Sequence, residues 1–277
     1  MSAPTTTPRS VASPLRTTPL ALLGAGRAHT LMYRNFLSAR THPMVFFGGF
    51  FEPVLYLFSL GVGLGALAPD IALGDGTTVS YVQFVAPAML ASSAMNGAVT
   101  EATFNIFFKL KFGKLYDAML ATPMTPMDVA VGEIGWSQAR GAAYSAGFLV
   151  IMLAMGLTSG WTWPLALLAT ALIGLAFGAV GMAATTFMTS WKDFDLVQLV
   201  ILPMFLFSGT LYPLSVYPGW LQVVARLSPL YHGTVLVRGL VLGQVTWSML
   251  GNVAVLVVMA AVGLVVARRR LSTLLLT

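Results

Sequence analysis

The chain has 277 residues, 57% of them hydrophobic and only 9% charged, with a mean hydropathy of +0.82. Soluble globular domains carry about 25% charged residues, so this deficit excludes an ordinary soluble fold and points to a polytopic membrane protein. The net charge of +6 does not indicate a nucleic-acid partner, because the basic residues are scattered singly beside apolar runs. With no cysteine in the chain there is no disulfide framework, thiol nucleophile or cysteine metal site.

Residues 1–19, MSAPTTTPRSVASPLRTTP, are rich in Pro, Thr and Ser and read as a disordered tail. The LALLGAG that follows is short for a signal-peptide core and lacks a convincing cleavage site, so the N-terminus is expected to remain in the mature protein. From Leu20 to His42 the pattern is amphipathic, with Arg27, Arg34, Ser38 and Thr41 on one face and Leu22, Met32 and Phe36 on the other. This predicts a helix lying in the membrane interface. A first span follows over about 44–66, then the Lys- and Arg-free LAPDIALGDGTT, then a second span over about 81–103. The basic segment FFKLKFGKLYDAMLATPMTPMD leads to a third span over about 129–156. A fourth covers 164–188, the polar WKDFD precedes a fifth over 196–210, and a sixth over 247–267 is stopped by Arg268, Arg269 and Arg270.

Between the fifth and sixth spans lies LFSGTLYPLSVYPGWL, uncharged yet punctuated by Pro213, Pro218 and Gly219. Irregular backbone at membrane depth survives only where protein or a water-filled cavity satisfies it. Tyr212, Tyr217 and Trp220 suit the outer interface. The reading is a re-entrant hairpin that caps the exit of a path. Twelve of the fifteen Lys and Arg fall on one side of this topology, which makes both termini cytoplasmic and the span count even; the count read is six. The opposite loops hold Arg226 and Arg238. GxxxG spacings at Gly61/Gly65, Gly174/Gly178 and Gly239/Gly243 read as close intramolecular packing.

Ionisable residues inside spans are the first candidates for function, because a charge in hydrocarbon is costly. These are Glu52, Glu101, Glu133 and Arg140. Glu133 and Arg140 sit seven apart, on one helix face but two turns from each other, so direct pairing is not expected and each could meet a partner on a neighbouring helix. A proton relay, a polar substrate contact and a structural polar network are the alternatives. No GxSxG, HExxH or GxxxxGK[ST] occurs, and His29, His42 and His232 fall on opposite sides. The chain is therefore read as a non-enzyme with no metal or cofactor of its own; if it pumps, the energy comes from elsewhere. The Lys109–Asp128 segment is either a docking site or a juxtamembrane anchor with snorkelling lysines.

EPVLYLFSLGVGLG, YVQFVAPAMLASSAM, KLYDAMLATPMTPMDVAVGEIGWSQAR, ILPMFLFSGTLYPLS and PLYHGTVLVRGL together resemble an ABC-2 type exporter permease. The subgroup resembled includes the nodulation-factor (lipo-chitooligosaccharide) export permeases. The resemblance implies an all-α integral membrane domain of six spans over 20–277 in a bacterial plasma membrane. It implies an interfacial helix at 20–42, a cytoplasmic coupling segment at 107–128 and a re-entrant segment at 211–242. It also implies a second permease copy, giving a homodimer, and separate ATPase subunits that hold ATP and Mg. Glu101, Lys109, Asp117, Thr122, Pro123, Asp128, Gly132, Glu133 and Arg140 correspond to the coupling region. The implied mechanism is alternating access or lateral extrusion of an amphiphile, a lipid-linked or acylated saccharide, with drug efflux as the alternative cargo. Met204, Phe205, Phe207, Tyr212 and Pro213, with Glu52, are candidates for its path or gate, or equally for core and lipid-facing positions. Two other classes stay open on the residues alone: an ion-coupled transporter using Glu52, Glu101 or Glu133, and a lipid-modifying enzyme.

Overall fold

The computed structural model describes residues 26–41, 51, 53–65, 67–73 and 76–275. The 1–19 tail, the start of the expected interfacial helix, Glu52 and most of the first half of the expected first span lie outside these residues.

Helix α1 spans Ala28–Thr41, and α2 is wound as a wider π-helix over Leu57–Leu64. A two-stranded hairpin, β1 (Ile71–Ala72) against β2 (Thr78–Val79), pairs Ile71 with Val79 and closes the loop that follows. Helix α3, Tyr81–Thr100, starts on a reciprocal cap: the Gln83 backbone N–H donates to Ser80 Oγ at 3.3 Å, and the Ser80 N–H donates to Gln83 Oε1 at 3.1 Å. It does not end near Thr103 as expected. Two π-turns, Glu101–Asn105 and Phe108–Phe112, carry it on to Gly113. The basic stretch is thus partly a helical extension, because Lys is a good helix former and nothing before Gly113 breaks the run.

Helix α4 is the short Leu115–Leu120, and α5 runs Pro126–Ala154. Helix α6 covers Leu165–Thr185, α7 Asp193–Phe207, α8 Gly219–Leu227, α9 Pro229–Leu242 and α10 Met249–Leu275. After Pro218 the chain forms two helices and not one, because Ser228 is extended and Pro229 opens a new first turn. The arginine cluster does not end α10: Arg is helix-compatible, and the helix continues so that Leu271 is buried.

Helix α6 is the axis of the bundle and packs against α3, α5, α9 and α10. Small residues allow this. Gly178 faces Ala98, Gly174 faces Gln138, and Gly263 of α10 sits on the backbone at Ala179. The three GxxxG pairs are spent on contacts within the chain, Gly61 and Gly65 against Val82 and Gly239 against Met249. Two cores result. One joins Phe84, Leu90, Phe148, Met152, Ile173, Leu230, Val237 and Leu256. The other, at the α4 end, joins Leu31, Ile106, Tyr116, Ile134, Met182 and Leu271.

Helix α1 buries a different face from the one expected. Its inward seam is Ala28, Leu31 and Asn35, while Tyr33, Phe36 and Leu37 are exposed. The polar Asn35 turns inward because a buried carboxylate waits there, and the aromatics turn out. Two helices, Leu165–Thr185 and Met249–Leu271, are long and apolar enough to cross a membrane by length and composition alone. α5 is long enough but carries Asp128, Glu133 and Arg140 in its first half.

Candidate functional site

The ionisable residues gather at the α4 end. Helix α5 begins on a capping box in which Asp128 Oδ2 accepts from the Thr125 backbone N–H at 2.8 Å and hydroxyl at 2.9 Å. Its other oxygen accepts from the Arg27 backbone N–H at 2.7 Å, and the Arg27 guanidinium donates to the Pro123 carbonyl. Asp128 therefore fastens the start of α1 to the start of α5 while satisfying donors at both helix ends. Gly132 permits the crossing: a Cβ there would lie 2.9 Å from Leu31 Cβ and 3.0 Å from the Ala28 carbonyl.

One turn further along α5, Glu133 is the hub. Lys109 Nζ donates to its Oε2 at 2.7 Å, Asn35 Nδ2 to the same oxygen at 3.0 Å, and the Tyr116 hydroxyl to Oε1 at 3.2 Å. Four elements (α1, the α3 extension, α4 and α5) thus meet on one carboxylate that is 3% exposed. Burying such a charge costs several kcal/mol, and three donors including an ammonium offset it. Burial foremost, then the Glu133 charge, holds the Tyr116 phenol well above its ordinary 10. Tyr116 therefore stays protonated and always donates. A second ion pair lies deeper, where Arg140 donates to Glu101 Oε2 and Asn105 Nδ2 to Oε1. Glu101 opens a π-turn, and Thr185 of α6 donates to the Ala102 carbonyl in that turn at 2.8 Å.

An aromatic cluster fixes α7 to the same end. Phe104 stacks on Phe194 with centroids 4.1 Å apart, and Trp191 meets Phe108 edge-on at 4.8 Å. Asp193 accepts from the backbone N–H groups of Ser190 at 3.0 Å and Thr189 at 2.7 Å, which closes the turn that starts α7.

The structure brings together Lys109, Pro123, Asp128, Gly132 and Glu133, with Glu101 and Arg140 as a second pair. Thr122 sits in the exposed turn after α4, its hydroxyl donating to the Met119 carbonyl. Asp117 lies on α4, but its side chain falls outside the description, as does Glu52 altogether. The gate candidates do not form one group. Phe205 lines a cavity with Arg140, Met204 is half-buried against the first core, and Phe207 meets Tyr217 edge-on at 6.1 Å. Tyr212 is half-exposed, and Pro213 leads into the short 3₁₀ turn Leu214–Val216. Sequence reasoning missed Asn35, Tyr116 and the Arg27 contacts. A 28/31/35 spacing with an Asn at its last position was the available signal for the first.

At the opposite end, Arg238 was assigned to an outer loop. It is instead in the middle of α9, because a guanidinium can be buried when carbonyls and a ring face satisfy it. It donates to the carbonyls of Phe84 at 3.1 Å and Gly209 at 2.8 Å and lies 3.7 Å from the Phe84 ring centroid. Gly209 adopts φ +68°, the left-handed turn that ends α7. Ser208 and Ser228 share a hydrogen bond of 2.7 Å, and Thr162 donates to the Leu240 carbonyl at 2.7 Å. Helix α9 starts beside the middle of α6, with Gly233 against Ile173, and finishes at the α5–α6 turn, where Ser159 N–H donates to Val241.

A mostly helical bundle with apolar outer faces, whose buried charges are bonded from helix to helix, fits a membrane protein. Residues 27–242 match the family model described as ABC-2 type transporter, and the chain belongs to that family. It is 34% identical over 260 residues to nodulation protein J of Rhizobium leguminosarum bv. viciae, covering 91% of this chain and 98% of that one. It is 33% identical over 213 residues to nodulation protein J of Rhizobium meliloti, covering 76% and 79%. Similarity extends to the inner membrane transport permease YadH of Escherichia coli, 25% over 161 residues, covering 58% and 62%. The chain is an ABC-2 permease, a membrane transport subunit of bacterial type.

Proposed function

We propose that this chain is the permease subunit of an ATP-driven exporter, and that α4 with its flanking turns receives the push of a separate ATPase subunit. The observation that carries this reading is the hub. A short, partly exposed helix has, among its described side chains, Tyr116 buried and bonded to a carboxylate that also ties down α1, α3 and α5. Displacing α4 must therefore move or strain three other elements. ATP and Mg belong to the partner, and two copies of the permease make the path. The six spans are the 44–66 segment, α3, α5, α6, α7 and α10, with both termini cytoplasmic in the plasma membrane. Helices α8 and α9 form the re-entrant cap on the far side. That reading is supported by the course of α9: Ile173 stands about 12 Å into α6 at 1.5 Å per residue, and α9 returns from there to the end of the bundle. The cargo is an amphiphile, a lipid-linked or acylated saccharide by likeness to the nodulation proteins.

The ion-coupled alternative is weakened because Glu101 and Glu133 each already hold a cation. The test is reconstitution with the partner ATPase in proteoliposomes and a fluorescent acylated chitooligosaccharide as cargo. Transport that requires ATP and the ATPase is expected. Transport that persists without either and collapses with the proton gradient would overturn the reading.

A further inference from the structure

The two helices long and apolar enough to cross a membrane, α6 and α10, run level with each other from start to finish. At their starts the preceding turns touch: a Cβ on Gly160 would lie 3.2 Å from Gly243 Cα, and Ser159 N–H donates to the Val241 carbonyl at 2.9 Å. Midway, Gly263 sits on the backbone at Ala179, and each is 14 residues past its helix start (249 to 263, 165 to 179). At their finishes the Arg270 guanidinium lies over the Phe187 ring, 4.2 Å from its centroid. From Leu165 to Thr185, and from Met249 to Arg270, the rise is about 30 Å at 1.5 Å per residue. That is the thickness of a bilayer's hydrocarbon core. The Phe187–Arg270 corner therefore stands where hydrocarbon gives way to headgroups.

Its side chains suit that depth. Phe187 is 57% exposed, and the same turn continues to Trp191, 48% exposed and edge-on to Phe108. Aromatic rings beside cations are characteristic of the membrane interface. Arg268 and Arg269 are exposed, as is Lys192 at the start of α7. Contact with the Phe187 ring occupies one face of the Arg270 guanidinium and leaves its N–H edge for an acceptor. Its Nε is shut off from solvent and meets no acceptor among the described residues. A planar fork of N–H donors matches a phosphate better than a point charge does. Lys192, Arg268, Arg269 and Arg270 outnumber Asp117, Asp193 and Asp195 even if all three carboxylates turned toward the corner. The local balance is positive.

We infer that this corner binds the phosphate headgroup of an anionic phospholipid in the leaflet at the α4 end. Arg270 holds the phosphate, Arg269 and Lys192 add charge, and Phe187 and Trp191 lie along the glycerol and upper acyl chain. A lipid and not a free anion is the occupant, because the exposed rings stand where α6 and α10 leave the hydrocarbon. The site has a structural consequence. Leu271, next in the chain, is buried in the same core as Tyr116 and Ile134, so a lipid on Arg270 also steadies the end of α10 against the α4 end. None of this depends on the export reading.

The test is native mass spectrometry of the full chain in detergent, titrated with phosphatidylglycerol or with phosphatidylcholine of the same acyl chains. Expected is a saturable phosphatidylglycerol adduct, held at least fivefold more tightly than phosphatidylcholine. Arg270→Met should weaken it about fivefold, the size for one cation near a membrane surface, and leave phosphatidylcholine binding unchanged. Arg270→Lys, which keeps the charge and loses the fork, should fall between the two. Arg226→Met, at the other end of the bundle, should change nothing. Phosphatidylglycerol should also raise the melting temperature of the wild-type chain more than that of Arg270→Met. Equal affinity of the wild-type chain for both lipids would overturn the inference without any variant. So would an unchanged adduct in Arg270→Met, an equal loss in Arg226→Met, or displacement of the lipid by inorganic phosphate at matched concentration. The readout uses neither ATP, cargo nor the ATPase, so its failure leaves the export reading standing, and failed ATP-dependent transport leaves this site standing.

Discussion

The two ends of the bundle solve one problem, holding irregular chain against helices, with different chemistry. At the α4 end the cross-links are charges: Glu133 with Lys109, Glu101 with Arg140, and Asp128 on two helix starts. At the α8–α9 end they are backbone carbonyls and hydroxyls, Arg238 on Phe84 and Gly209, Ser208 on Ser228, and Thr162 on Leu240. Charge-assisted bonds are about twice as strong as neutral ones and demand a partner in place. The first end joins its elements through pairs of opposite charges, whereas the second holds α8 and α9 through one cation on carbonyls and through neutral hydroxyl bonds.

The largest expected effect tests the charged end. Glu133→Ala leaves Lys109 buried without its carboxylate and should cost about 3–5 kcal/mol, seen as a large drop in the melting temperature of the purified chain. A loss under about 1 kcal/mol, the size for surface pairs, would remove the hub from the account. Next comes Arg238→Met, which strands two carbonyls and should cost about 1–3 kcal/mol. Hydrogen exchange should then quicken in 206–242 and stay unchanged in α4. Exchange that quickened equally at both ends would erase the contrast between them. Ser208→Ala removes one neutral bond and should cost about 1 kcal/mol, with the same regional signature at smaller amplitude.

The smallest effect lies on the alkaline side. The Tyr116 pKa is raised on folding, so the folded state holds a proton that the unfolded state loses above its ordinary value near 10. The contribution is complete below that pH and is lost as pH rises toward the folded-state value. The chain should lose stability above about pH 10, and Tyr116→Phe should flatten that part of the profile. An unchanged alkaline profile in the variant would mean that the phenol is not held protonated by its site.

Much of this was legible in the residues. A third span from about residue 129 was read, and α5 begins close by at Pro126 on a Thr125–Asp128 box that the reading did not name. The seven-residue spacing of Glu133 and Arg140 argued against their pairing with each other, and each is paired with a different residue. The partners themselves were hidden because they lie on other elements. Asn35 looked like one polar position in an amphipathic helix, and Tyr116 like an ordinary apolar residue of a short one. Arg238 looked like a charge in an outer loop, since hydropathy cannot distinguish solvent from a pair of buried carbonyls. Contacts between segments a hundred residues apart are a property of the packing and not of any one stretch.

The most direct measurement of the central claim, that α4 drives the bundle through Glu133, is export per ATP. Wild-type chain and Glu133→Gln, each reconstituted with the partner ATPase, are compared for ATP turnover and cargo transport in the same proteoliposomes. The account predicts that ATP turnover is largely retained while export falls about tenfold, a coupling loss near 1.4 kcal/mol. Export and turnover falling in parallel, or export per ATP staying at the wild-type value, would contradict it.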